Sequence, residues 1–156
     1  MAFEGPEKRK KLISSMVVLA ALIGGAIFAT AALSIYFRSQ DPVNQCIEDP
    51  TSQPFQLSVP ITVTEDGFPA LVPRGIGIDD NCIRPVHTLQ ENVIHVAYSR
   101  PHDFTLGHFL YYWLGNDLLQ YNTKVFVNDV QHTEGDIRDI ILMEGQSIRI
   151  EFTSRN

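Results

Sequence analysis

The chain has 156 residues, with 12 Lys or Arg against 18 Asp or Glu, so its formal net charge is −6. Apolar residues make up 44% of it, which is too much for a disordered chain, and its acidity speaks against a nucleic-acid partner. Two cysteines are too few for a cysteine-rich zinc module or a dense disulfide scaffold.

Residues 1–11 form a basic tail, with Lys8, Arg9, Lys10 and Lys11 at its end. Residues 12–37 then carry no charge. As a helix, a run of this length reaches roughly 39 Å, enough to cross a hydrocarbon core of about 30 Å. The reading is a transmembrane helix, with the basic tail cytoplasmic and everything after Arg38 outside. A cleaved signal peptide is the rival, since Ala29-Thr30-Ala31 resembles a cleavage triplet, but the run exceeds the usual h-region of about 7–15 residues. Ala21, Gly25 and Ala29 recur every four residues and predict a small-residue face for packing on another membrane helix. Membrane lipid and integral membrane subunits are therefore the expected partners.

Residues 38–54, polar and containing three prolines, read as an extended linker. Residues 55–156 read as an extracytoplasmic domain. Phe55, Leu57, Val59, Ile61 and Val63 alternate as in a half-buried strand, and Pro60 places that strand at a sheet edge. After a loop over residues 64–85, residues 93–98 read as a second strand. Leu106, Phe109, Leu110, Trp113 and Leu114 then form a helical stripe between a Thr105 cap and a Gly115 stop. Short strands follow at residues 124–127 and 147–152, with a short piece at residues 137–142 between them. The expected architecture is α+β: the transmembrane helix plus a small, mainly antiparallel sheet with one covering helix, β-grasp-like. A cupredoxin-like β-sandwich is the alternative.

Cys46 and Cys82 both fall in the exported part, where a disulfide between them is the expectation, with free thiols or metal ligation as alternatives. The five histidines fall there too, at positions 87, 95, 102, 108 and 132. No pair has a diagnostic ligand spacing, and hydrogen-bonded or surface roles are the default. His87 and His95 are the candidate metal ligands, copper being the metal that exported proteins meet. Eight residues apart, they meet only if a hairpin or bulge joins them. His95 has the better case because its strand neighbours are apolar and an inward imidazole needs a partner. No nucleophile elbow, phosphate loop or H-E-x-x-H occurs, so no catalytic residues are assigned.

Pro73, Gly75, Ile76, Gly77, Ile78, His87-Thr88, Val93-Ile94-His95-Val96, Phe104-Thr105-Leu106-Gly107, Phe109 and Trp113 together make a pattern. It resembles that of small exported domains frequent in ammonia-oxidising archaea. Leu89 and Gln90 stand where that pattern has a second His and an Asp, and Ala97 stands for its Glu. The resemblance implies an eroded ligand set that retains His87 and His95. By association with that lineage, the expected function is a non-catalytic single-span subunit that packs in a larger membrane enzyme such as ammonia monooxygenase and caps its outer face. A membrane-tethered copper-binding or copper-handling domain is the alternative.

Overall fold

The computed structural model describes residues 23–30, 33, 34, 36 and 41–155, in two compact units that divide at Asp41 and Pro42. In the first unit, residues 23–30, 33, 34 and 36 are helical. Among the described residues no helix is long and apolar enough to cross a membrane. The expected transmembrane helix is corrected accordingly. The single-span subunit, the tethered copper domain and the cytoplasmic-in, exterior-out placement all rested on that span, and they go with it. Residues 1–22, 31, 32, 35 and 37–40 lie outside the described residues, and Ala21 of the small-residue face is among them. Gly25 and Ala29 are helical and exposed, and a Cβ at Gly25 would meet nothing within 4 Å.

The second unit is an α+β domain. Its strands are β1 (Phe55–Glu65), β2 (Phe68–Ala70), β3 (Ile78–Asp79), β4 (Cys82–Ile83), β5 (Val86–His87), β6 (Val93–Tyr98), β7 (Tyr121–Val127), β8 (Val130–Gln131) and β9 (Ile148–Ser154), and its helix is α1 (Leu106–Trp113). One seven-stranded sheet runs in the order β5-β6-β1-β9-β7-β8, with β2 beside β1, and β3 and β4 form a separate ribbon. The sheet is mixed: β1 pairs in parallel with β9, from Ile61 opposite Ile148 to Glu65 opposite Phe152, while the remaining pairs are antiparallel. This replaces the mainly antiparallel, β-grasp-like expectation. Nor are there two packed sheets of cupredoxin type or a closed barrel among the described residues. Residues 137–139 form a 3-10 turn.

β1 keeps its predicted alternation, with Leu57, Val59, Ile61 and Val63 buried and Gln56, Ser58, Pro60 and Thr62 exposed. It is not a plain edge strand, however, because it pairs with β6 over Phe55–Pro60 and with β9 from Ile61 onward. Pro60 is tolerated for a directional reason. Ile61 donates its N–H to Asn92 O on the β6 side. Backbone groups alternate along a strand, so an N–H at position 60 would face the β9 side, where the parallel ladder has not yet begun.

α1 buries Leu106, Phe109 and Leu110, and sets Trp113 against Phe109 and Phe152 at 5.7 and 6.0 Å between ring centres. Gly107 lies against the 137–139 turn, where a Cβ would come within 2.6 Å of Arg138 O. Close helix approach therefore explains a residue that weakens helices.

Residues 42–53 pack on the domain as a strap rather than running out as a linker. Val43 and Ile47 are buried. Tyr112 donates its hydroxyl to Val43 O, Tyr98 donates to Gln45 Oε1, and Arg84 donates to Asn44 O. Cys46 and Cys82 form a disulfide with a Cα–Cα distance of 5.0 Å, next to an antiparallel bridge between Ile47 and Ile83. Closing a loop of 36 residues restricts the unfolded chain by about 3–4 kcal/mol in the chain-entropy treatment. The double variant Cys46→Ser/Cys82→Ser is accordingly expected to unfold at lower denaturant by about that free energy, measured by equilibrium denaturation followed by circular dichroism.

Candidate functional site

His87 and His95 are brought together by a hairpin. β5 and β6 pair antiparallel with His87 directly opposite His95 and Val86 opposite Val96. The turn between them is pinned at Asn92, whose φ is +59°. Asn92 accepts from Val72 N–H through its side chain and donates its own N–H to Val72 O. On the next strand Ser58 lies opposite His95. Ser58, His95 and His87 thus form a row across β1, β6 and β5, on the face opposite Val59, Ile94 and Val86.

That face is partly covered, with His87 fully buried, His95 half-buried and Ser58 exposed. A pocket of about 50 Å³ lies over the row, lined by Pro50 and Thr51 of the strap, Gln56, Ser58, Leu89 and the two histidines among others, and no charged side chain lines it. This volume holds one or two water-sized species, far below the roughly 300–1,000 Å³ of an organic-ligand pocket.

The two imidazoles are anchored through their Nδ1 atoms. His87 is fully buried, and its Nδ1 lies 2.8 Å from Arg84 O. A carbonyl only accepts, so Nδ1 carries the proton and the neutral ring presents a bare lone pair at Nε2. His95 Nδ1 lies 3.0 Å from Ser58 Oγ. Both Nε2 atoms are buried and neither has a hydrogen-bond partner. The ring centres are 6.1 Å apart and the planes diverge by 28°. Burial lowers the pKa of both rings, and in His87 the neighbouring His95 lowers it further while the Arg84 carbonyl opposes the shift. The result is a pair of buried Nε2 atoms without a partner, that of His87 an acceptor, in a setting where polar groups are rarely left unpaired.

A second layer holds His87 in place. Buried Thr88 donates its hydroxyl to Pro73 O and accepts from Ile76 N–H, and Thr88 N–H donates to Ile76 O. Gly77, at φ +72°, presses on β5: a Cβ there would clash with Val86 O and lie 3.2 Å from His87 Cα. The Pro73–Ile78 stretch, within the loop expected over residues 64–85, is therefore the backing of the histidine strand. Gly77 was legible as a motif position. Ser58 and Thr51 were not, because nothing local to them marks contact with a histidine distant in sequence.

The other histidines stay apart from this pair. His102 stacks edge-on against Phe104 at 4.8 Å, and His108 Nδ1 accepts from Thr105 N–H at the start of α1. His132 follows β8, with its own Nε2 buried and unpartnered. Among the described residues no group of three or more His, Cys, Asp and Glu could hold a metal. The cysteines are joined in the disulfide, which removes thiolate ligation by them.

No family model, curated protein or solved structure matches this chain.

Two outcomes are expected. Gly77→Ala combines a backbone clash with an unfavourable φ and is expected to destabilise the domain by about 1–3 kcal/mol, read as a lower denaturation midpoint. On acidification, the unfolded chain's histidines take up protons near pH 6.5 while the folded pair resists. Their contribution to stability is complete above that pH and is lost as the pH falls through the depressed folded values. Thermal denaturation at pH 7, 6 and 5 is expected to show a falling midpoint, with a shallower fall in His95→Gln.

Proposed function

We propose that this domain is a non-catalytic metal-binding module that takes one transition-metal ion at Nε2 of His87 and Nε2 of His95. The observation that carries the reading is the pair of buried, unpartnered Nε2 atoms on directly opposed residues, each ring held through its other nitrogen. Metal-bound histidines almost always engage the second ring nitrogen with a carbonyl, carboxylate or water, which fixes the tautomer and aims the lone pair. The Arg84 carbonyl plays that part for His87, and the Ser58 hydroxyl does so for His95.

The two rings lie stacked, with centres 6.1 Å apart and planes 28° from parallel, so both imidazoles border the same small pocket. A pocket of about 50 Å³ suits an ion rather than an organic substrate.

The test is thermal denaturation of the full chain with one equivalent of Cu(I), Ag(I) or Zn(II), with bound metal counted after desalting. At least one ion is expected to remain at one per chain and to raise the stability by about 2.7 kcal/mol when its free concentration is 100 times Kd. His95→Gln is expected to abolish both effects. If none of the three ions is retained, or if His95→Gln retains them unchanged, the reading fails and the imidazoles are a buried pair satisfied by water.

A further inference from the structure

We infer that the Cys46–Cys82 disulfide is a redox latch on the pocket of His87 and His95. Joined, it keeps the Pro50–Ser52 turn of the strap beside the two Nε2 atoms; reduced, it lets that turn lift and the imidazoles meet solvent. The inference deepens the metal-binding reading by naming what controls the pocket, and it rests on that reading only where an ion is concerned.

The placement of the disulfide is the first argument. It joins the strap to the segment that carries His87. Within residues 82–84 three ties cross between the two: the disulfide at Cys82, the bridge in which Ile47 donates its N–H to Ile83 O, and the Arg84 guanidinium on Asn44 O. The same Arg84 presents its carbonyl to His87 Nδ1 at 2.8 Å, and β5 begins at Val86. Cover and histidine are thus fastened to one short piece of backbone.

The second argument is how little else holds the cover. Pro50 and Thr51 line the pocket. The hydrogen bonds of residues 49–53 nevertheless stay local. Asp49 accepts from Thr51, Ser52 and Gln53, and Gln56 donates to Thr51 O and Gln53 O. Glu48, Asp49, Thr51 and Ser52 are exposed. The position of the turn is therefore set by its two ends, β1 at Phe55 and the anchored residues 43–47. A segment with few buried contacts opens locally at a free energy below that of the whole fold, and removing a covalent tie at one end lowers it further.

The bond is also within reach, since Cys46 is exposed and Cys82 half-buried. The reductant is a dithiol, small or carried on a protein. One of its thiolates attacks the disulfide, its second thiol resolves the mixed disulfide, and two electrons and two protons leave Cys46 and Cys82 as thiols while the dithiol departs as a disulfide.

The experiment compares the oxidised full chain, the chain reduced with dithiothreitol and desalted anaerobically, and Cys46→Ser/Cys82→Ser. Each is treated with diethyl pyrocarbonate, which modifies accessible imidazole nitrogens, and peptide mass spectrometry reads the rate at every histidine. His102, exposed, is the internal reference. His132 reports global unfolding, because its Nε2 is buried and it follows β8, at the far end of the sheet from β5. The expected result is a rise of about 10-fold or more at His87 and His95 in both opened forms, with His132 unchanged. Equal rates at His87 and His95 in all three forms overturn the latch. A rise shared equally by His132 also overturns it, since the disulfide then staples the whole domain. The double variant, which has no thiols to bind metal themselves, is also loaded with Zn(II) or Ag(I) and challenged with a chelator, and release at least about 10-fold faster than from the oxidised chain is expected. Release at the same rate overturns control of the ion by the disulfide. Retention of no ion by either form overturns the metal reading, while the histidine rates still decide the latch.

Discussion

β1 is the strand on which both the core and the site are hung. Its odd positions from Leu57 to Val63 enter the apolar interior, where burial of aliphatic side chains contributes about 1.5–3 kcal/mol each. Its even positions face outward, and one of them, Ser58, meets His95 on the neighbouring strand. A one-residue slip of β6 against β1 would turn His95 into the core and expel Ile94. The energy that fixes the core therefore also fixes the row Ser58–His95–His87. The site needs no separate device to set its spacing.

What distinguishes that row from an ordinary outer face is its cover. The strap of residues 42–53 is held at three levels: by the disulfide, by hydrogen bonds from Tyr112, Tyr98 and Arg84, and by burial of Val43 and Ile47. Its Pro50–Ser52 turn, capped by the Asp49 carboxylate on Thr51 N–H, closes over the histidines. An imidazole on an open face would spend its free nitrogen on water. Here both Nε2 atoms are withdrawn from solvent without a replacement donor, a state that costs about 1–3 kcal/mol for each unsatisfied group. The proposed ion would satisfy both of these groups at once.

The backing of the site is made of backbone. Gly77 can stand against β5 only because it has no Cβ, and Thr88 closes the contact by bonding to both Pro73 and Ile76. His87 is thus clamped between the Pro73–Ile78 turn behind it and β6 beside it, while His95 is on a strand paired on both sides. The two rings differ accordingly. His87 is fully enclosed and fixed in tautomer by a carbonyl, whereas His95 is half-buried and faces a hydroxyl that can donate or accept.

Much of the local structure was legible from the chain alone. The period of two in β1 and the stripe of α1 are local patterns dictated by burial on one side, and both stand in the structure. His87 and His95 were readable as candidates, conditional on a hairpin. Tertiary structure decided the rest, for reasons no local window contains. The parallel pairing of β1 with β9 joins residues 87 positions apart, as Ile61 and Ile148 do, and such a crossover leaves no mark in either strand. The strap looked like a linker because proline and polar residues mark irregular backbone without saying whether it is packed, and Val43 and Ile47 are too few to form a pattern. The apolar run of residues 12–37 shows the opposite limit: hydropathy alone predicted a membrane crossing, whereas no described helix has the length for one. Composition and periodicity determine which face of a strand or helix is buried, but the enclosure that leaves two imidazole nitrogens without partners depends on segments meeting from residues 50, 58, 87 and 95, and only the folded chain brings those together.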